Sequence, residues 1–92
     1  MRGIHPGRIL KRELKARDLS ANKLSLALSV PSGRITQIIN GKRGISAETA
    51  LRLSLYFGNS AQFWMNLQSR YELALIEQNL GDKIRSEVNC AA

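Results

Sequence analysis

Leu19-Ser-Ala-Asn-Lys-Leu-Ser-Leu-Ala-Leu-Ser-Val-Pro-Ser-Gly-Arg-Ile-Thr-Gln-Ile-Ile-Asn-Gly-Lys42 reads as two short helices joined by a tight turn. Ser20 is a good N-cap, because its hydroxyl can accept from the free amides of a first helical turn. Leu19 before it and Leu24 after it can close as a hydrophobic staple. Leu24, Ala27 and Leu28 follow helical spacing, and Ser25 is small where a second helix would cross closely. The turn is Ser29-Val30-Pro31, with Val30 plugging the space between the helices. Pro31 and Ser32 open the second helix, where a missing amide costs nothing. Ile35, Ile38 and Ile39 form its buried stripe, and Asn40-Gly41 ends it, Gly41 supplying a left-handed cap.

Off the isoleucine stripe, this second helix leaves Ser32, Gly33, Arg34, Thr36 and Gln37, with Lys42 and Arg43 following at once. A helix that presents Gln, Thr and Arg near its N-terminal end can enter the DNA major groove and read base edges. The first helix would then meet the phosphate backbone through its N-terminal amides, beside Ser20, Asn22 and Lys23. An ordinary solvated face on a helical hairpin satisfies the same spacing, and charge distinguishes the two.

The net charge is +7. Residues 1–43 hold ten Lys/Arg against Glu13 and Asp18, a net +8, whereas residues 44–92 hold Arg52, Arg70, Lys83 and Arg85 against five acids, a net −1. The whole basic excess therefore lies on the half that contains the paired helices, and a polyanion is its natural partner. A membrane surface would also want Trp or Phe on that basic face. The only Trp and both Phe lie in the neutral half, so nucleic acid fits better.

Working outward, residues 1–5 read as an arm. His5-Pro6-Gly7 leads into a helix with Ile9, Leu10 and Leu14 on its apolar face and Arg8, Lys11, Arg12, Lys15 and Arg17 elsewhere. Gly41-Lys42-Arg43-Gly44 is a glycine-bracketed basic loop that can approach phosphate, without P-loop spacing. Ser46 caps a fourth helix that ends at Gly58. Ser60 caps a fifth and longest helix, read to about Asn79, with Gly81 as its stop. Phe63, Trp64, Leu67, Tyr71, Ala74 and Leu75 form its core stripe. A second stripe, Met65, Leu73, Ile76 and Leu80, faces elsewhere and reads as the contact for a twin or a partner chain. The expected architecture is all-α, five helices in one domain over residues 1–92, the helical body over 6–80 and a flexible tail over 81–92.

No strand pattern and no 18-residue apolar run is present, so no membrane partner is expected. No secretory leader is visible, and the lone Cys90 cannot form an internal disulfide, which together suggest the cytoplasm. One histidine, scattered acids, no His-Glu-x-x-His and no Cys-x-x-Cys leave no catalytic, metal or cofactor set to assign.

Several of these stretches carry a resemblance: His5-Pro6-Gly7 with Ile9-Leu10; the helix pair from Leu24 to Asn40; Gly41 to Ser46 with Thr49 to Leu53; Tyr56-Phe57-Gly58; and Ser60 with Phe63-Trp64-Met65-Asn66-Leu67-Gln68 and Tyr71. Together they resemble the HigA-type antitoxins, the virulence-associated protein I branch of the XRE-like, lambda-repressor-like helix-turn-helix proteins. The resemblance spans about residues 4 to 77, and Phe63 to Gln68 is its specific part. It implies five helices with a long last one, a homodimer, and double-stranded operator DNA in the chain's own promoter. It also implies a HigB-type ribonuclease toxin that the antitoxin silences. On this resemblance the groove-reading positions fall on Ser32, Gly33, Thr36 and Gln37, with Arg34 beside them, and phosphate contacts fall near Asn22, Lys23, Asn40 and Lys42.

Two departures stand out. The usual turn glycine is Ser29, where positive φ costs about 1 kcal/mol, so a slightly recast turn is expected. The usual helix-opening Ser or Thr is Pro31, so the cap must come from Ser32 or from a DNA phosphate. With only five residues before the first helix, any toxin contact is expected on the first or fifth helix or on the tail. A solitary XRE-like transcriptional regulator without a toxin would have the same DNA chemistry.

Overall fold

The computed structural model describes residues 3–91, and the sequence readings at Met1, Arg2 and Ala92 lie outside it. Among the described residues the chain is all-helical: α1 (Pro6–Ala16), α2 (Ala21–Leu28), α3 (Arg34–Ile39), α4 (Ala47–Phe57) and α5 (Ala61–Glu87). None of these helices is long and apolar enough to cross a membrane.

Four helices begin on side-chain caps. His5 Nδ1 accepts from the Gly7 amide at 2.9 Å, and Ser20, Ser46 and Ser60 accept from the amides of Lys23, Thr49 and Phe63 at 3.1, 3.2 and 3.0 Å. Each bond satisfies one of the amides that a helix start leaves free. Burial lowers the His5 pKa, which favours the neutral ring that accepting a hydrogen bond requires.

Three helices end alike. After α1, α2 and α3 the chain turns through a left-handed residue: Asp18 (φ 52), Ser29 (φ 56) and Gly41 (φ 74). In each case two backbone bonds close the end. Leu19 and Asp18 donate to Leu14 and Lys15, Val30 and Ser29 to Ser25 and Leu26, and Lys42 and Gly41 to Gln37 and Ile38. This is the Schellman closure, in which the last carbonyls are satisfied by the returning chain.

The turn at Ser29 is therefore not recast; the serine adopts the glycine conformation. A left-handed L-residue costs roughly 1–2 kcal/mol, while glycine gives back somewhat less through the entropy of the unfolded chain. Ser29→Gly is expected to stabilise by about 0.5 kcal/mol, raising Tm by roughly 2–4 °C. A lower Tm in a thermal melt would contradict this reading of the turn.

The start of α3 differs from expectation. Pro31 and Ser32 do not open it. Pro31, Ser32 and Gly33 form a turn closed by Arg34 N–H to the Pro31 carbonyl at 3.1 Å, and the helix begins at Arg34. The reason is Gly33, whose φ of 86 cannot belong to a right-handed helix. No side chain caps α3, so Ser32 does not supply the missing cap.

The core is Leu10 and Leu14 of α1, Leu24 and Leu28 of α2, Ile35 and Ile38 of α3, Ile45, Ala50 and Leu53 of α4 and its approach, and Trp64 of α5. Ala27, read into the α2 stripe, is exposed, and Ile39 is half-buried; each stands about 100° around its helix from a buried neighbour, Leu28 or Ile38. Ser25 is buried, as its small size suggested. Trp64 is fully buried, its indole N–H donating to Asn59 Oδ1 at 2.9 Å, with the Phe57 and Phe63 rings 5.9 and 5.2 Å away.

The fifth helix departs from its reading in three ways. It does not stop at Gly81 but runs to Glu87. A glycine inside a helix costs about 1 kcal/mol without ending it. Arg85 fills the space left by the missing side chain, pairing with Asp82 at 2.9 Å and with Glu77. Met65, read as a partner contact, is half-buried against the core because it flanks Trp64 where α4 packs on α5. Phe63 and Leu75, read as core, are 41% and 38% exposed.

Twenty-seven residues at 1.5 Å each make α5 about 40 Å long, and the molecule measures 49 × 22 × 22 Å. The second half of α5 therefore projects past the other helices, and from Leu75 to Val88 only Gly81 is buried. The described part of the N-terminal arm lies on the middle of α5. A Cβ on Gly3 would sit 2.7 Å from the Ala74 Cβ, and the His5 and Tyr71 rings meet edge-on at 4.8 Å.

Candidate nucleic-acid interface

The helix pair α2–turn–α3 is fixed from three sides. Gly7 of α1 lies directly on the Ile38 carbonyl near the end of α3, where a Cβ would fall on the carbonyl oxygen. Arg52 of α4 reaches back to the end of α2, its Nη1 donating to the Leu28 carbonyl at 2.9 Å. Ile35 and Ile38 anchor α3 in the core with no exposure at all. Arg52 was not singled out in the sequence, since no local signal points to a carbonyl 24 positions earlier.

This packing leaves Thr36 and Gln37 of α3 exposed, with Ser32 exposed in the turn before it and Gly33 and Arg34 half-buried. Of the five residues two lie on the helix, one at its first position and two in the turn leading into it. On α2, Asn22 and Lys23 are exposed in the first turn, beside the Ser20 hydroxyl that is already the cap acceptor. The α2 N-terminus adds the partial positive charge of its unpaired amides.

Beyond α3, Asn40, Lys42 and Arg43 are exposed. Their loop is held at both ends. At the start is the Schellman closure onto Gln37 and Ile38. At the finish the Ile45 amide donates to Gln68 Oε1 at 2.7 Å in a buried bond, while Gln68 Nε2 donates to Glu72 at 3.0 Å. A Cβ on Gly44 would meet the Gln68 amide group at 2.8 Å, so a side chain there would displace the amide that holds Ile45. Gln68 was noted in the sequence only as part of a resemblance; its role as the loop's anchor depends on a contact 23 residues away. Within the loop, Arg43 Nε donates to Gln37 Oε1 at 2.9 Å, joining a residue read as a phosphate contact to one read as a base contact.

The basic residues of α1 are not all equally available. Arg17 pairs with Glu13 at 3.3 Å and lies over the Phe57 ring at 4.9 Å, whereas Arg8, Lys11, Arg12 and Lys15 are exposed. Of the proposed partner stripe, Leu73, Ile76 and Leu80 are 69%, 47% and 43% exposed. The continuation of α5 extends that stripe through Ile84 to Val88 at the cap, at helical steps along one face. Among the described residues no group of three or more His, Cys, Asp or Glu could hold a metal ion.

Comparison with known proteins gives a consistent picture. A helix-turn-helix family model matches residues 10–64, more than half the chain. Virulence-associated protein I of Dichelobacter nodosus is 51% identical over 80 residues, covering 86% of this chain and 74% of that protein. Two solved structures superpose closely. An addiction-module antidote protein of the HigA family from Coxiella burnetii has a TM-score of 0.94 and 47% identity, covering 98% of this chain and 99% of that one. The Pseudomonas aeruginosa antitoxin HigA with the higBA promoter has a TM-score of 0.93 and 46% identity, covering 99% and 100%.

Proposed function

The chain belongs to the helix-turn-helix family, in the group of virulence-associated protein I and the HigA antitoxins, and from that membership we propose that it is the antitoxin of a type II toxin–antitoxin module. In this reading it binds operator DNA as a dimer, represses its own operon and neutralises an mRNA-cleaving toxin of the HigB type. We assign it no catalytic step.

The observation that carries the DNA half is the exposure of Thr36 and Gln37 on an α3 anchored by Ile35 and Ile38, with Ser32 exposed in the turn before it, in a chain nearly half identical to an antitoxin solved with its promoter. Each α3 enters a major groove, with two copies about 34–36 Å apart on one face of the duplex. Thr36, Gln37 and the turn residues Ser32 and Gly33 meet base edges, with Arg34 beside them. Ser20, Asn22, Lys23, Asn40, Lys42 and Arg43 lie along the phosphates, which supply most of the affinity. The second copy is held through the apolar stripe Leu73, Ile76 and Leu80, which is 43–69% exposed. Repression follows where the operator overlaps the promoter. A solitary regulator would share every one of these features, and a neighbouring toxin gene distinguishes it.

Two variants test the division of labour. Gln37→Ala is expected to cost roughly 1–3 kcal/mol on the operator and to relax preference at one base position. Lys42→Ala is expected to weaken all duplexes alike and to lower the slope of log K against log salt by about one. Titration of operator and random duplexes reads both. Equal losses of Gln37→Ala on the two duplexes would remove Gln37 from the base-reading set.

A further inference from the structure

The loop after α3 folds back onto the helix at one residue, Gln37. The backbone does so first, with the Lys42 amide donating to the Gln37 carbonyl at 2.9 Å. The side chain follows, Arg43 Nε donating to Gln37 Oε1 at 2.9 Å. The position of Arg43 is set by the fold on both sides, by Gly41 in its left-handed turn and by the buried Ile45–Gln68 bond. Both side chains are exposed, as is that of Thr36 beside Gln37.

Arginine has donors only. The Gln37 amide must therefore turn its oxygen to Arg43 and its nitrogen away. A glutamine reads adenine by offering oxygen and nitrogen together, the oxygen to the N6 amino group and the nitrogen to N7. Here one of the oxygen's two lone pairs is taken by Arg43, which leaves a single acceptor site. Beside it stand the Gln37 amide nitrogen and the terminal nitrogens of Arg43, all donors. Guanine offers two acceptors, N7 and O6, on its major-groove edge.

We propose that Arg43 is a positioning residue for Gln37, and that the hydrogen-bonded pair, whose donors outnumber its one remaining acceptor site, selects guanine over adenine at the base pair Gln37 faces. This inference rests on the DNA-binding reading above and goes beyond it in naming the base and in moving Arg43 from the phosphate set to the specificity set.

The test uses the full chain and a library of random duplexes. Wild type selects its preferred duplex, and every single-base variant of that duplex is then titrated against wild type, Arg43→Ala, Gln37→Ala and Lys42→Ala, with circular dichroism to confirm folding. The position lost in Gln37→Ala is expected to hold guanine. At that position Arg43→Ala is expected to lower the guanine-to-adenine preference by roughly tenfold. Lys42→Ala removes the same charge from the same loop without touching the Gln37 side chain, and its preference is expected to stay intact. If Arg43→Ala instead weakens every duplex alike, as Lys42→Ala does, Arg43 is a phosphate contact only and the proposal is overturned. Adenine at the Gln37 position overturns it as well. If wild type selects no duplex above random, it is the DNA-reading function itself that has failed.

Discussion

Gly7→Ala is expected to destabilise the protein by about 3 kcal/mol or more, the opposite sign from the usual helical substitution. Within a helix, alanine is normally better than glycine by about 1 kcal/mol. Gly7 lies inside α1, yet its missing side chain is where α1 meets α3. An added Cβ would land on the Ile38 carbonyl oxygen, 2.8 Å from the Ile38 carbonyl carbon and 2.9 Å from His5 Nδ1. Two of these atoms are backbone, so no rotamer change makes room. Overpacking of this kind costs 1–3 kcal/mol and more where backbone must move. Relief requires α1 to lift from α3, which withdraws support from the helix that carries Thr36 and Gln37. A thermal melt should show Tm lowered by roughly 12 °C or more. An unchanged melt would mean that α1 and α3 do not approach as closely as described.

Trp64→Ala is expected to be comparably severe, at about 3–5 kcal/mol. The indole is the largest fully buried side chain, wedged between Phe57 and Phe63 at the α4–α5 junction. Its removal loses the apolar transfer energy, leaves a cavity under both rings and frees the Asn59 amide. Against a total stability of order 5–15 kcal/mol, a large part of the population unfolds. Trp64→Phe separates the contributions: it keeps most of the volume and loses only the indole bond to Asn59, for which about 1 kcal/mol is expected. Denaturant titrations of both variants give the comparison. Equal losses would place the energy in the hydrogen bond, against the packing argument.

These two sites mark what the sequence could and could not convey. Trp64 was legible because apolar residues recur around it at helical steps, and so were Leu24, Leu28, Ile35 and Ile38; periodicity is a local property. The contact of Gly7 with Ile38 was not legible, because it joins residues 31 positions apart. The same holds for Arg52 with Leu28 and Gln68 with Ile45. Glycine proved ambiguous: Gly41 and Gly58 end helices with positive φ, while Gly81 sits inside one. Only the residues that follow distinguish the cases, since Asp82 to Glu87 can continue a helix and be tied by Arg85. The left-handed turn at Asp18 went unread for the converse reason, as its residue is not glycine. Met65 was assigned to the outer stripe because adjacent helical positions differ by only 100°, and packing against α4 decides which side it joins. At the interface, the identities of Thr36, Gln37, Lys42 and Arg43 were readable, but the bond that joins Gln37 to Arg43 was not.

The most direct test of the DNA-binding function is a titration of the full chain against duplex from its own upstream region and against random duplex, each at roughly 50 and 200 mM salt. Log affinity should fall linearly with log salt on both, with a loss of about a thousandfold or more if six or more phosphates are neutralised. The upstream duplex should stay tighter throughout, by a factor of at least about a thousand. Equal affinity for the two duplexes at both salts would contradict a base-reading role for α3.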